Sequence, residues 1–258
     1  MSLPRRLLEA AWLSYRALFT WLNPWGYVSS RIVMPVMLTL LFGALGRFTG
    51  TGTSRPAIGG PLLAVALAGL YGMTLAVANE RNFGTLEIRA ATPESFLEGL
   101  VGKAIPHVLD GLLNGLLTMV VAAVVLGVHV PAAAVGPLVA AGLAVAFSSA
   151  SLGVLAAAFS VRTRDTFTAP NVFELVLTLL GGVFIAPARL PLHLGAASAV
   201  LPLRHGVQAA LAALAGHGMA WQSLATELAV GFGWGLAGYA FLRWMLFDAR
   251  RRATLQVT

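Results

Sequence analysis

The chain has 258 residues, of which 58% are hydrophobic and 10% charged, and its mean hydropathy is +0.81. A water-soluble domain carries roughly 25% charged residues, so a soluble enzyme is excluded, and at about 20 apolar residues per span there is room for roughly six membrane helices and little else. The formal net charge of +7 does not indicate nucleic acid, because the basic residues are scattered at the ends of apolar runs, where they mark membrane topology.

Residues 3–22 place Leu7, Leu8, Ala11, Trp12, Tyr15, Leu18, Phe19 and Leu22 at helical spacing, with Arg5, Arg6, Glu9 and Arg16 largely opposite. This predicts an amphipathic helix in the membrane interface. The stretch does not read as a cleavable signal, since the strongly apolar run begins late and no small-residue cleavage site follows it. Asn23-Pro24 breaks the helix. A first span is expected over 24–46, with Arg31 near its start and Pro35 inside. A Gly/Thr/Ser/Pro loop leads to a second span over 59–78. The charged segment Asn79–Pro93 then interrupts the apolar pattern.

A third span is expected over 105–128, and the His129-Val130-Pro131 turn makes it an antiparallel hairpin with a fourth over 132–161. The polar connector 162–165 precedes a fifth span over 166–185, which contains Glu174. Residues 186–218 are apolar but punctuated by Pro187, Pro191, Pro202 and several glycines, and they carry Arg204 and His205. Helical pieces near 192–200 and 204–215 are too short to cross a bilayer. A re-entrant helix pair is predicted there, allowed only where protein or water satisfies the broken backbone. The sixth span covers 221–247. The fold class is therefore an all-α membrane protein: one transmembrane domain over 1–258, with six spans, an N-terminal interfacial helix, and a re-entrant pair between spans five and six.

Six spans place both termini on one side. Arg5, Arg6, Arg16, Arg31, Arg81, Arg89, Lys103, Arg162, Arg164, Arg243, Arg250, Arg251 and Arg252 fall on that side, against Arg47, Arg55, Arg189 and Arg204 on the other. The positive-inside rule makes the first side cytoplasmic, so Asn79–Pro93 is expected in the cytoplasm and 186–218 outside. Scarce Lys beside abundant Arg, Ala and Gly suggests a GC-rich bacterial source, hence a bacterial plasma membrane. The absence of cysteine excludes disulfides and thiolate metal sites.

Glu80, Arg81, Glu87 and Arg89, with Gly84 and Thr85, read as a short surface helix bounded by Pro93 and tied between two spans. The motif Glu80-x-x-x-Gly84-Thr85-Leu86-Glu87, ending in Thr92-Pro93, resembles the coupling helix of ABC transporter permeases of the type 2 exporter class. The run Gly182-Val183-Phe184, Pro187, Leu190-Pro191 and Leu201-Pro202-Leu203-Arg204-His205-Gly206 is similar to the outward-facing re-entrant segment of that class. The resemblance implies a permease subunit that pairs with a second permease subunit, identical or homologous, and with cytoplasmic ATPase subunits. It implies an exporter whose cargo is hydrophobic or amphipathic. ATP and Mg²⁺ would sit on the ATPase, and no cofactor is expected in this chain: Lys103, in Gly99-Leu-Val-Gly102-Lys103-Ala104, lacks the glycine spacing and the following Ser or Thr of a phosphate-binding loop. Glu80, Arg81, Gly84, Thr85, Leu86, Glu87, Arg89 and Pro93 would form the ATPase-coupling site. The Trp12–Leu22 helix and residues 162–165 would be secondary surfaces. One departure is Glu174, where the class often has a small or amide residue.

Glu174 lies roughly 12 Å into the fifth span by helical rise, and an acid there is costly in lipid, so it faces an interior or a partner. An ion pair with Arg31 is one reading, and contact with cargo or a proton is the other. Asn171, Asp110 and Asn114 are the other intramembrane polar candidates, Asp110 within reach of Lys103 or His107. Ser148, Ser149 and Ser151, with Gly142 and Gly153, are read as sites of close helix approach, and His193, His205 and His217 as surface residues without metal spacing. A proton-coupled secondary transporter using Glu174 and Asp110 is the alternative function, although no inverted repeat accompanies it. An intramembrane enzyme is excluded by the lack of H-E-x-x-H, Gly-x-Ser-Gly or a paired Asp cluster. The topology predicts that single cysteines introduced at Ser54 and at Asn82 label from opposite sides of the membrane; labelling from the same side rules out the six-span arrangement.

Overall fold

The computed structural model describes residues 9, 11–13, 24–82, 84, 96–163 and 165–251, and these are helical apart from short connections. α1 (Pro24–Tyr27) runs through a π-helical turn (Val28–Val33) into α2 (Met34–Phe48), so one helical rod covers the first expected span. The π turn has a local cause. Pro35 has no N–H to donate, and its ring crowds the carbonyl four residues back, at Arg31 inside the turn. α3 (Ser54–Asn82), α4 (Phe96–Leu126) and α5 (Ala132–Thr163) follow. All three are long and apolar enough to cross a membrane. α6 (Thr168–Leu180), a 3-10 turn (Pro187–Arg189), α7 (Leu192–Ala199), α8 (Arg204–Leu214) and α9 (Trp221–Arg251) complete the chain. Of the interfacial helix expected over 3–22, Glu9 and residues 11–13 are helical; its other residues lie outside the described ones.

Two boundaries move for physical reasons. α3 begins at Ser54 rather than near 59, because Pro56 in a first helical turn surrenders an N–H that has no intrahelical partner anyway. The fifth span, expected to reach Ile185, closes at Leu180. Gly182 there adopts φ +74, a left-handed conformation that glycine reaches without strain. The 13 residues of α6 rise roughly 20 Å, less than the hydrocarbon core of about 30 Å.

α3 is buried on nearly every side, packed among α2, α4, α5, α6 and α8. Its Ile58, Leu63 and Leu70 share a core with Val145 and Leu152 of α5. Backbones touch where glycine permits it. A Cβ on Gly153 would lie 2.6 Å from the Leu70 carbonyl oxygen of α3, and one on Gly238 of α9 would lie 2.8 Å from the Leu155 nitrogen of α5. α5 is thus clasped between α3 and α9 by small residues, the packing that serves where lipid removes the hydrophobic drive between helices. The expected close approach at Gly153 is found.

The two short helices expected after the fifth span are present as α7 and α8. α8 buries Gly206, Val207, Ala209, Ala210 and Ala213 against α3, α5 and α9. Its N-terminus is closed by a residue not singled out from the sequence. Glu227 of α9 is 0% exposed. The Leu203 N–H donates to its Oε1 at 2.7 Å, the Gly206 N–H to its Oε2 at 3.0 Å, and the Ser148 hydroxyl to Oε1. First-turn N–H groups have no partner within their own helix, so Glu227 caps α8 from another helix. Leu203 takes φ +82, the one non-glycine residue with positive φ among the described residues, a sparsely populated conformation costing roughly 1–3 kcal/mol. Replacing Glu227 with Ala leaves two buried N–H groups unpaired and is expected to destabilise the protein by about 3 kcal/mol, with faster amide exchange over residues 200–207. Glu227→Gln keeps an acceptor and is expected to cost less. Unchanged exchange in Glu227→Ala would refute the capping role.

Candidate functional site

The charged end of α3 is built differently from the separate surface helix expected there. Glu80 and Arg81 belong to the last turn of α3 itself, which continues past Ala78 to Asn82. Gly84 stops it: at φ +68 its N–H donates to the Arg81 carbonyl at 3.0 Å, the left-handed stop for which glycine is suited. Thr85, Leu86, Glu87, Arg89 and Pro93 lie outside the described residues.

Glu80 and Arg81 are both committed inside the protein. Glu80 Oε1 lies 2.5 Å from Lys103 Nζ of α4, and Lys103 also donates to the Ala76 carbonyl of α3 at 3.1 Å. Lys103 is buried, so the pair is shielded from water. Arg81 Nη1 donates to the Ser160 carbonyl near the C-terminus of α5 at 3.1 Å, a carbonyl position where a cation also meets the negative end of the helix dipole. Two consecutive side chains therefore brace the end of α3 against α4 and α5.

The connector after α5 presents Asp165 as an exposed cap on α6. The Thr168 hydroxyl donates to its Oδ2, and the N–H groups of Phe167 and Thr168 donate to its Oδ1 at 2.8 and 3.2 Å. The Thr168 hydroxyl, then the two backbone donors, hold the Asp165 carboxyl below the usual carboxylate range. The sign follows from linkage: this cap is fully present above the ordinary Asp range and is lost as pH falls through the lowered value. The side chains of Arg162 and Arg164 lie outside the described residues.

Within the bundle, Glu174 pairs with Tyr71 of α3. The Tyr71 hydroxyl donates to Glu174 Oε2 and lies 2.6 Å from Asn171 Oδ1, one turn earlier on α6. The Arg31 side chain, the partner proposed from the sequence, lies outside the described residues. Asn114 is buried on α4 and Asp110 half-buried one turn before it, and neither is without a partner.

On the α7–α8 side, Arg204 Nη1 donates to the Gly195 carbonyl at 2.6 Å. His205 is not the surface residue expected: it is half-buried, with Nε2 2.9 Å from the Ala199 carbonyl. The reason is its position in the first turn of α8, which faces the last turn of α7. His193 and His217 are exposed. Pro187 opens the 3-10 turn, Pro191 precedes α7, and Pro202 is buried before Leu203. Sequence reasoning missed Tyr71, Ser148 as a polar partner, and Glu227. An acid six residues inside an apolar helix was a visible signal for Glu227, the same one that exposed Glu174.

A family model described as ABC-2 type transporter matches residues 9–215. No curated protein and no solved structure matches the chain. The Glu80–Lys103 pair predicts strong coupling in a double-mutant cycle. Lys103→Met removes the ion-pair partner of a largely buried carboxylate and is expected to cost about 3 kcal/mol. The Glu80→Gln, Lys103→Met double variant is expected to cost less than the sum of its parts by roughly 1 kcal/mol or more, read by thermal unfolding; additive single effects would mean the pair contributes nothing.

Proposed function

The chain belongs to the ABC-2 type transporter family, and on that premise we propose that it is half of the membrane pathway of an ATP-driven exporter. In this reading it has six spans with both termini in the cytoplasm of a bacterial cell. A second permease subunit completes the pathway, and the cargo is hydrophobic or amphipathic. A separate cytoplasmic ATPase engages residues 79–93. The observation that carries the coupling is the bracing of Glu80 and Arg81 against α4 and α5. It makes the end of α3 a lever rather than a loose loop. Within the stretch the roles divide: Glu80 and Arg81 transmit, Gly84 sets the turn, and Thr85, Leu86, Glu87 and Arg89 present the contact surface, with Pro93 closing it.

The family matched across residues 9–215 is a membrane component of ABC transporters and not itself catalytic. ATP and Mg²⁺ are accordingly assigned to the partner. The test is a reconstituted complex with its ATPase. Replacing Gly84 with Val, or Glu87 with Ala, is expected to lower permease-stimulated ATP hydrolysis by at least about tenfold, roughly 1.4 kcal/mol of coupling, while the variants still insert and associate. Wild-type stimulation by both variants would remove this stretch from the coupling path.

A further inference from the structure

Glu174 has a setting unlike that of Glu227. It is half-buried on α6, and among the described residues its one donor is the Tyr71 hydroxyl. That hydroxyl carries a single hydrogen and faces a second acceptor, Asn171 Oδ1, at 2.6 Å. A carboxylate offers about four lone-pair sites and the Asn171 carbonyl two more; against these stand the Tyr71 hydrogen and the two amide hydrogens of Asn171, so acceptors outnumber donors in the cluster. Its depth adds to the demand. Tyr71 lies ten residues before Arg81, or about 15 Å from that end of α3 by helical rise, and Glu174 about 9 Å from the start of α6. Both positions fall within a hydrocarbon core about 30 Å thick.

The cluster opens outward. Asn171 is exposed, and Val172, Leu175 and Leu179 continue the same side of α6 as an exposed apolar stripe, 54%, 59% and 50% accessible. An amphiphile with a cationic head fits both parts. Its ammonium would fill the acceptor sites at Glu174 and Asn171, and its hydrocarbon body would lie along Val172, Leu175 and Leu179. We propose that Tyr71, Asn171 and Glu174 form a subsite for the ammonium group of a cationic amphiphile carried by this transporter. This rests on the permease reading and narrows its cargo. Tyr71 is a positioning residue: its hydroxyl holds Oε2 and leaves Oε1 to the visitor.

The experiment compares two probes on the complete complex in nanodiscs, without nucleotide: a dansylated alkylamine, and the same molecule with its amine acetylated and neutral. A charge-assisted hydrogen bond predicts that wild-type protein binds the amine roughly tenfold or more tighter than the amide. Glu174→Gln is expected to abolish that preference and leave amide binding unchanged, while Glu174→Asp retains part of it. Equal binding of the two probes by the wild type overturns the proposal, and this comparison needs no variant to fold. So does an undiminished preference in Glu174→Gln. A preference that grows in Arg31→Gln would make Arg31 the resident partner of the carboxylate, and it also overturns the proposal. If Glu174→Gln changes subunit association but not the preference, the carboxylate serves the second subunit instead. Failure of the permease reading is distinguishable, because it appears as absence of ATP-driven movement of either probe, whereas the preference is read without ATP.

Discussion

Two hydrogen bonds to one carboxylate carry the α7–α8 end of the structure. In lipid a broken backbone must find its partners within the protein, and the chain between α6 and α9 is broken repeatedly. Glu227 takes the Leu203 and Gly206 N–H groups at the start of α8. Around it, side chains from other elements collect the carbonyls that the breaks set free. Ser198 donates to the Leu180 carbonyl at 2.6 Å, Arg55 to that of Gly182 at 2.7 Å, Trp234 to that of Val200 at 2.7 Å, and Arg204 to that of Gly195 at 2.6 Å. The start of α8 and the end of α7, which would fray in isolation, are thereby held. The strained φ of Leu203 is tolerated because its N–H is held on one side and its side chain is fully buried on the other.

The opposite end of the bundle uses polar groups for a different purpose. There the helices are long and unbroken, so few backbone groups need rescue. Glu80–Lys103 and Arg81–Ser160 link helices rather than mend them. α3 connects the two regimes. Its N-terminal end holds the α6–α7 bend through Arg55, and its C-terminal end carries the brace. Because its middle is packed by small residues against α5, displacement of one end has little slack in which to dissipate.

Much of this architecture is legible in the sequence. Proline and glycine punctuation places α7 and α8 almost to the residue, and the apolar runs locate the long helices. What escapes is who meets whom. Tyr71 and Glu174, or Ser148 and Glu227, are far apart in the chain, and periodicity describes a face without naming its partner. The early end of α6 was missed because Val183, Phe184 and Ile185 are as apolar as the helix before them. They leave it only because Gly182 turns, and Phe184 then stacks on Phe42 of α2 with ring centroids 4.0 Å apart. The Lys103 pair of Glu80 is likewise invisible in the sequence, since a charge beside an apolar run looks solvated until Lys103 is brought to it from α4.

Glu174 and Glu227 show what the general rule for acids in membrane helices omits. Both interrupt apolar runs, and by sequence they carry the same expectation of function. Their surroundings separate them. Glu227 accepts from two backbone N–H groups and from the Ser148 hydroxyl, whose one hydrogen also faces the Val145 carbonyl, and it is fully buried. Glu174 has one shared donor and an open side. The two differ in how many of their acceptor sites the fold fills, and a buried carboxylate is stable in proportion to the lone pairs that are met. The number of donors a carboxylate has, more than its depth, divides the acid that builds the protein from the acid that waits for something.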